Sequence, residues 1–159
     1  DREKRGQWSY DVTGLGYNYR LDEIHSALGL SQIMRLEQFN KKRMKLAKEY
    51  SKKLEKIKGI ITPKIHDNRK HIFHLYSIKI DKEFHLSRDE LFKKLYKKGI
   101  GTSVQYIPLH LLTHFKKKYN EKKDHFPNSN ILKNQVLCLP IYPDMTMKQL
   151  DYVVACLTK

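Results

Sequence analysis

The chain of 159 residues suits one domain, with or without a tail, and is long enough to hide roughly 70% of its unfolded surface. Its 40% hydrophobic content, with ten tyrosines and six phenylalanines, excludes disorder of the whole chain, and no run nears the roughly 18 apolar residues of a membrane span. The net charge of +15 raises nucleic acid or an anionic membrane surface as a first thought, yet the basic residues are mostly lysines spread along the chain, which reads as a solvated lysine-rich surface or else an anion-attracting one and argues against base-specific recognition by arginine forks.

Residues 7–12 alternate, carry aromatic bulk and read as a short strand or extended arm. A turn follows at Thr13-Gly14-Leu15-Gly16. Helical spacing begins near Leu21, with Asp22 as N-cap and Glu23 at the positive end of the helix dipole. Ile24, Ala27, Leu28, Ile33 and Met34 form an apolar stripe that Leu21, Leu30 and Leu36 widen beyond one face, as burial on two sides requires. From Phe39 the stripe narrows to Leu46, Ala47, Tyr50, Leu54 and Ile57 and stops at Gly59. One long helix and two helices kinked near Asn40 fit this pattern equally well.

Residues 60–70, with Pro63, read as a loop, and the alternation of residues 72–80 predicts a strand. Ser87 and Glu90 have capping-box spacing ahead of a helix that Gly99 ends. Residues 100–106 read as a second strand, stopped by Pro108. Residues 113–130 read as a long loop with a short helix inside. Val136 to Leu139 is a short strand, Pro140 and Pro143 mark a rigid turn, and Thr146 with Gln149 caps a last helix. The fold class is therefore mixed α/β, an α+β small domain: a long N-terminal helical element, then a small sheet with helices on it. The division expected is 1–59 for arm, turn and long helix, and 60–159 for a small C-terminal α/β domain.

Few motifs carry chemistry by themselves. Gly14-Leu15-Gly16 lacks the third glycine of a dinucleotide fingerprint. Asn18 and Arg20, just ahead of a helix start, still suit an anion, or else form a plain turn with Arg20 pairing a carboxylate. Tyr106 and His110 flank Pro108 at a strand end, where a braced loop presents functional groups or merely packs. His71, His74 and His110 match no metal-ligand spacing, and Cys138 with Cys156 are too few for a disulfide framework or a zinc site. The two cysteines fit a reducing compartment, so the expected location is cytoplasmic. The start of the chain is not of signal-peptide type and has no initiator methionine, which fits a segment of a longer protein.

The stretch Gly16-Tyr17-Asn18-Tyr19-Arg20-Leu21-Asp22-Glu23-Ile24 resembles the start of the first C-terminal-half helix in sugar-nucleotide aminotransferases of the DegT/StrS type. Arg43 with Tyr50 resembles a paired position on that family's helix, and His74-Leu75-Tyr76 its His-x-Tyr strand. The run from Gly99 to His110 resembles its G-I-x-T-x-x-H-Y-x-P-L-H loop, and Leu137 to Pro143 its L-S-L-P-L-Y-P turn. These stretches come in the family's order and span nearly the whole chain.

The resemblance implies the C-terminal part of a fold-type I enzyme dependent on pyridoxal 5'-phosphate, passing through pyridoxamine 5'-phosphate. Such an enzyme moves an amino group from glutamate to a keto sugar on a nucleoside diphosphate, for glycans such as lipopolysaccharide. It implies a homodimer, with residues 1–59 on the dimer and cofactor side, and neither a nucleic-acid partner nor a membrane span. It also implies that Asn18 reaches the cofactor phosphate of the partner subunit, that Arg20 steadies the helix start or the substrate diphosphate, and that Tyr106 and His110 lie near the sugar and nucleotide. Gln105 departs from the family's histidine. The family's cofactor lysine lies in a Ser-x-x-Lys stretch upstream, and no serine of this chain has lysine three positions on. The chain alone is therefore expected to be inactive.

Overall fold

The computed structural model describes residues 14–17, 19–119 and 125–158. They fall into two units, Asp1–Arg35 and Leu36–Lys159. The expected arm at 7–12 and Asn18 lie outside the described residues.

In the first unit, Asp22 starts helix α1, Glu23–Ile33. Its carboxylate accepts the His25 backbone N–H at 2.9 Å, and its second oxygen lies 2.6 Å from His25 Nδ1. These bonds occupy a donor that the first helical turn leaves unpaired and hold the Asp22 carboxyl below its usual range. No residue of α1 is buried: Ile24, Leu28, Leu30 and Ile33 are all exposed. The helix ends at Met34, where the Arg35 N–H turns back to the Gln32 carbonyl, three residues away. The break thus falls at residues 34–35, ahead of Asn40, which is only mildly unfavourable inside a helix and is carried through by the good helix formers around it.

The second unit opens with α2, Leu36–Leu54, whose Leu46, Ala47, Tyr50 and Leu54 recur at spacings of three or four and are buried. Gly59 adopts φ +81°, and a Cβ there would overlap the Phe84 backbone, so both conformation and space require glycine. It leads into β1, Ile60–Ile61, a two-residue strand where the sequence reads as loop. β2 is Tyr76–Ile80 and β3 is Val136–Leu139. The sheet order is β1-β2-β3, antiparallel throughout, with Ile60 opposite Ile80 and Ser77 opposite Cys138. The expected strand over 72–80 loses its first half because Phe73 sits at φ +51°, which turns the chain out of extended geometry.

Helix α3, Arg88–Lys97, carries the expected capping box: the Ser87 hydroxyl accepts the Glu90 N–H while the Glu90 carboxylate accepts the Ser87 N–H. Gly99 follows at φ +71°. The expected strand over 100–106 reduces to one bridge, with Ser103 and Cys138 exchanging bonds of 3.2 and 2.8 Å. Gly99 and Gly101 weaken that segment as a strand, and β3 offers only four residues to pair with. The described residues of the region 113–130 enter two helices rather than one, α4 at Thr113–Tyr119 and α5 at Pro127–Gln135, with Pro127 in the first turn where its missing N–H is harmless. The last helix, α6, spans Met147–Thr158 behind the Thr146–Gln149 cap. The core joins Tyr50 and Leu54 of α2, Tyr76 and Ile78 of β2, Leu91 of α3, and Leu150 and Leu157 of α6. Burying each such side chain stabilises the fold by about 1.5–3 kcal/mol.

Candidate functional site

The loop from Gly101 to Leu112 is pinned at its start by the Ser103–Cys138 bridge and at its end by a 3-10 turn over Leu109–Leu111. Proline at 108 fixes the backbone ahead of that turn. The segment between is free to present side chains. Tyr106 is 77% exposed and stands on the wall of a cleft of about 500 Å³, shared with Gln105, Pro108, Ser129, Lys133 and Val136.

His110 is half-buried at the other end of the loop. Its Nε2 lies 3.0 Å from Asn130 Oδ1, and its ring stacks on Phe126 at 4.7 Å. Because the Asn130 oxygen is an acceptor, the ring proton belongs on Nε2, which leaves Nδ1 as the acceptor nitrogen. The loop therefore carries both Tyr106 and His110, the first open to solvent and the second steadied by α5. Arg20 belongs to the unit Asp1–Arg35 and is exposed just ahead of α1. Asn18 is outside the described residues.

Three buried polar atoms have no hydrogen-bond partner among the described residues: Thr102 Oγ1, Gln105 Oε1 and Gln135 Oε1. The Gln105 amide nitrogen is used, donating to Ser103 Oγ at 3.3 Å. An orphaned buried acceptor costs about 1–3 kcal/mol, so each of these oxygens suits a donor from outside the described residues. Thr102 and Gln105 lie on the same loop as Tyr106, and Gln135 closes α5 beside it. Sequence reasoning reached Gln105 only through its departure from a histidine, and missed Thr102 and Gln135, since burial of a single polar atom leaves no trace in one sequence.

Arg43 and Tyr50 serve the fold. The Arg43 guanidinium donates to the Ile141 carbonyl at 2.8 Å, and the Tyr50 hydroxyl to that of Pro140 at 3.0 Å. Tyr76 meets Ser51 across 2.8 Å, and its ring stacks on Tyr50. Burial raises both phenols, Tyr76 to about 12 and Tyr50 further still. Cys138 is buried beside Ser77. Among the described residues no three His, Cys, Asp or Glu side chains converge as metal ligands, and no helix is long and apolar enough to cross a membrane.

Comparison with known proteins agrees with this architecture. The sequence model described as the DegT/DnrJ/EryC1/StrS aminotransferase family matches residues 1–158. The chain is 36% identical over 151 residues to the spore coat polysaccharide biosynthesis protein SpsC of Bacillus subtilis, covering 94% of this chain and 39% of that protein. It is 35% identical over 150 residues to the UDP-4-amino-4,6-dideoxy-N-acetyl-beta-L-altrosamine transaminase of Campylobacter jejuni, covering 94% of this chain and 39% of the transaminase. The crystal structure of DesV from S. venezuelae superposes with a TM-score of 0.84 at 28% identity, over 98% of this chain and 41% of DesV. The chain spans about 40% of the length of the curated relatives it matches.

Proposed function

Because this chain belongs to the DegT/DnrJ/EryC1/StrS aminotransferase family, we propose that it is the C-terminal part of a sugar aminotransferase that moves an amino group from glutamate to a keto sugar on a nucleoside diphosphate. The observation that carries this reading is the family match over residues 1–158, which takes in the Asn18–Arg20, Tyr106 and His110 stretches together. The names of SpsC and of the altrosamine transaminase support a sugar substrate and a role in polysaccharide or glycan synthesis.

The donor set suits a phosphate-bearing cofactor such as pyridoxal 5'-phosphate. When bound, that group supplies the electron sink of amino transfer. This chain's own residues bind and orient. The resemblance supports Asn18 as the residue whose amide would donate to the phosphate of the partner subunit's cofactor, and Arg20 as the cation that would steady the helix start or the substrate diphosphate. Tyr106 offers its hydroxyl to the sugar or nucleotide from the open cleft wall. His110, with its proton held toward Asn130, offers Nδ1 as an acceptor. The exposed apolar residues of α1, Ile24, Leu28, Leu30 and Ile33, are the surface of the homodimer, and residues 1–59 form its cofactor side. The lysine that binds the cofactor comes from chain outside residues 1–159, and the enzyme works in the cytoplasm.

The test is the visible absorbance of bound cofactor in the complete polypeptide that carries this segment. Asn18→Ala is expected to weaken cofactor retention by about tenfold, the loss of one charge-assisted bond. Retention unchanged in Asn18→Ala would overturn the role of Asn18, and absence of cofactor from the unmodified polypeptide would overturn the reading itself.

A further inference from the structure

A second concave site lies away from loop 101–112, between α2 and residues 62–73. It is a cleft of about 790 Å³, within the range of about 300–1,000 Å³ typical of small-molecule sites. Its charged lining is one-sided: Lys48, Lys64, Arg69 and Lys70 stand against the single carboxylate of Glu55. Elsewhere lysines find acidic partners, as in Lys42–Asp144 at 3.1 Å and Lys53–Asp151 at 2.9 Å. Around this cleft Lys48, Lys64 and Arg69 make no ion pair among the described residues, and Lys70 reaches Glu37 only at 3.5 Å. Gathering like charges is unfavourable, and a bound anion reverses the sign of that interaction.

The loop is folded to hold this arrangement. The Arg69 N–H donates to the His66 carbonyl at 3.0 Å, closing a turn that carries the guanidinium. Two residues beyond His71, the Phe73 N–H donates to His71 Nδ1 at 3.0 Å, so the imidazole proton sits on Nε2, the form that donates to an anion. Phe73 makes that bond at φ +51°, a left-handed conformation unfavourable for a non-glycine residue. Burial of its ring, 4% exposed and 6.0 Å from the Tyr76 ring, offsets the cost. The His71 ring in turn lies 4.3 Å from the Phe73 ring. Met44, Pro63 and Ile65 give the rest of the wall an apolar character.

We propose that this cleft binds a small phosphate-bearing organic anion, a phosphomonoester or diphosphate whose apolar part lies on Met44, Pro63 and Ile65 while Lys64, Arg69 and His71 take the phosphate oxygens. Arg69 supplies the planar fork that grips two oxygens at once, and the lysines act as point charges. The inference is independent of the amino-transfer reading, since none of these residues belongs to the Asn18, Arg20, Tyr106 or His110 set.

The experiment is calorimetric titration of the complete polypeptide that carries residues 1–159 with inorganic pyrophosphate, repeated on the double variant Lys64→Gln/Arg69→Gln and on a control, Lys117→Gln/Lys118→Gln, which removes the same charge from α4. All four residues are exposed, and circular dichroism verifies that each variant is folded. The expected result is millimolar or tighter binding that the cleft variant weakens by at least about tenfold and the control by less than about twofold. Equal losses in the two variants would assign the binding to diffuse charge. That outcome, binding that survives Lys64→Gln/Arg69→Gln, or no binding at all would overturn the proposal.

Discussion

Arg43 and Tyr50, two turns apart on α2, hold neighbouring carbonyls of one loop: the guanidinium takes Ile141 at 2.8 Å and the phenol takes Pro140 at 3.0 Å. This clamp fixes the turn between β3 and α6 to the long helix. Lys42, beside Arg43, adds an exposed ion pair to Asp144 of the same turn. Removing the hydroxyl leaves the half-buried Pro140 carbonyl without that donor. Tyr50→Phe is therefore expected to destabilise the chain by about 1–2 kcal/mol with its ring packing intact, read as a lower urea midpoint at unchanged slope.

Alkaline pH acts through Tyr50 and the Tyr76 ring stacked on it. Burial raises the Tyr76 phenol from 10.0 to about 12, and the Tyr50 phenol also lies above its ordinary value, chiefly by burial. The folded state thus holds these protons more tightly than the unfolded chain. Both contributions are complete below pH 10; that of Tyr76 is lost as pH rises from there through about 12, and that of Tyr50 falls in the same direction. The urea midpoint should fall over that window, and Tyr76→Phe should make the fall shallower. The same slope in Tyr76→Phe would contradict the assignment.

Gly59 tests the turn between α2 and the sheet. Alanine there has to adopt φ +81° and place its Cβ against the backbone of Phe84. Gly59→Ala is expected to destabilise the chain by about 2–5 kcal/mol, the left-handed term plus the overlap. Thermal melting of this variant beside Gly101→Ala, which meets no atom within 4 Å and has no positive φ, checks it. Similar melting of the two variants would contradict the prediction.

Gln105 separates stability from function. Its orphaned Oε1 gains from apolar replacement, so Gln105→Leu is expected to hold or raise the stability of the chain by up to about 1 kcal/mol. On the proposed function, with the Gln105 oxygen as an acceptor for the sugar, the same change in the complete polypeptide should raise KM more than it lowers kcat. A variant that is less stable and unchanged in KM would show the oxygen to be structural.

How much of this was legible in the sequence depended on how local the cause was. The caps at Asp22, Ser87 and Thr146 and the stripe Leu46–Ala47–Tyr50–Leu54 were read directly, since each depends on residues within one or two helical turns. Strand ends were not. Phe73 cuts one strand short through a backbone angle that its side chain does not announce, and β1 is too short for alternation to show. Pro127 was a usable sign of α5, masked by the turn-forming residues around it. Of the site, Tyr106 and His110 were found as a loop pair, but the hold of Asn130 on His110 and the orphaned oxygens at Thr102 and Gln135 depend on tertiary packing. The cationic cleft was hidden for the same reason: Lys48 and Arg69 are far apart in sequence and meet only when the 62–73 loop folds back on α2.

The central claim is amino transfer to a sugar. Its most direct test is to supply the complete polypeptide carrying residues 1–159 with pyridoxal 5'-phosphate, glutamate and a panel of nucleoside-diphosphate keto sugars, and to measure 2-oxoglutarate together with the amino-sugar product. The account predicts both, in equal amounts, for at least one sugar, with a raised KM in Tyr106→Phe. A polypeptide that retains the cofactor yet transfers no amino group to any sugar nucleotide would contradict it.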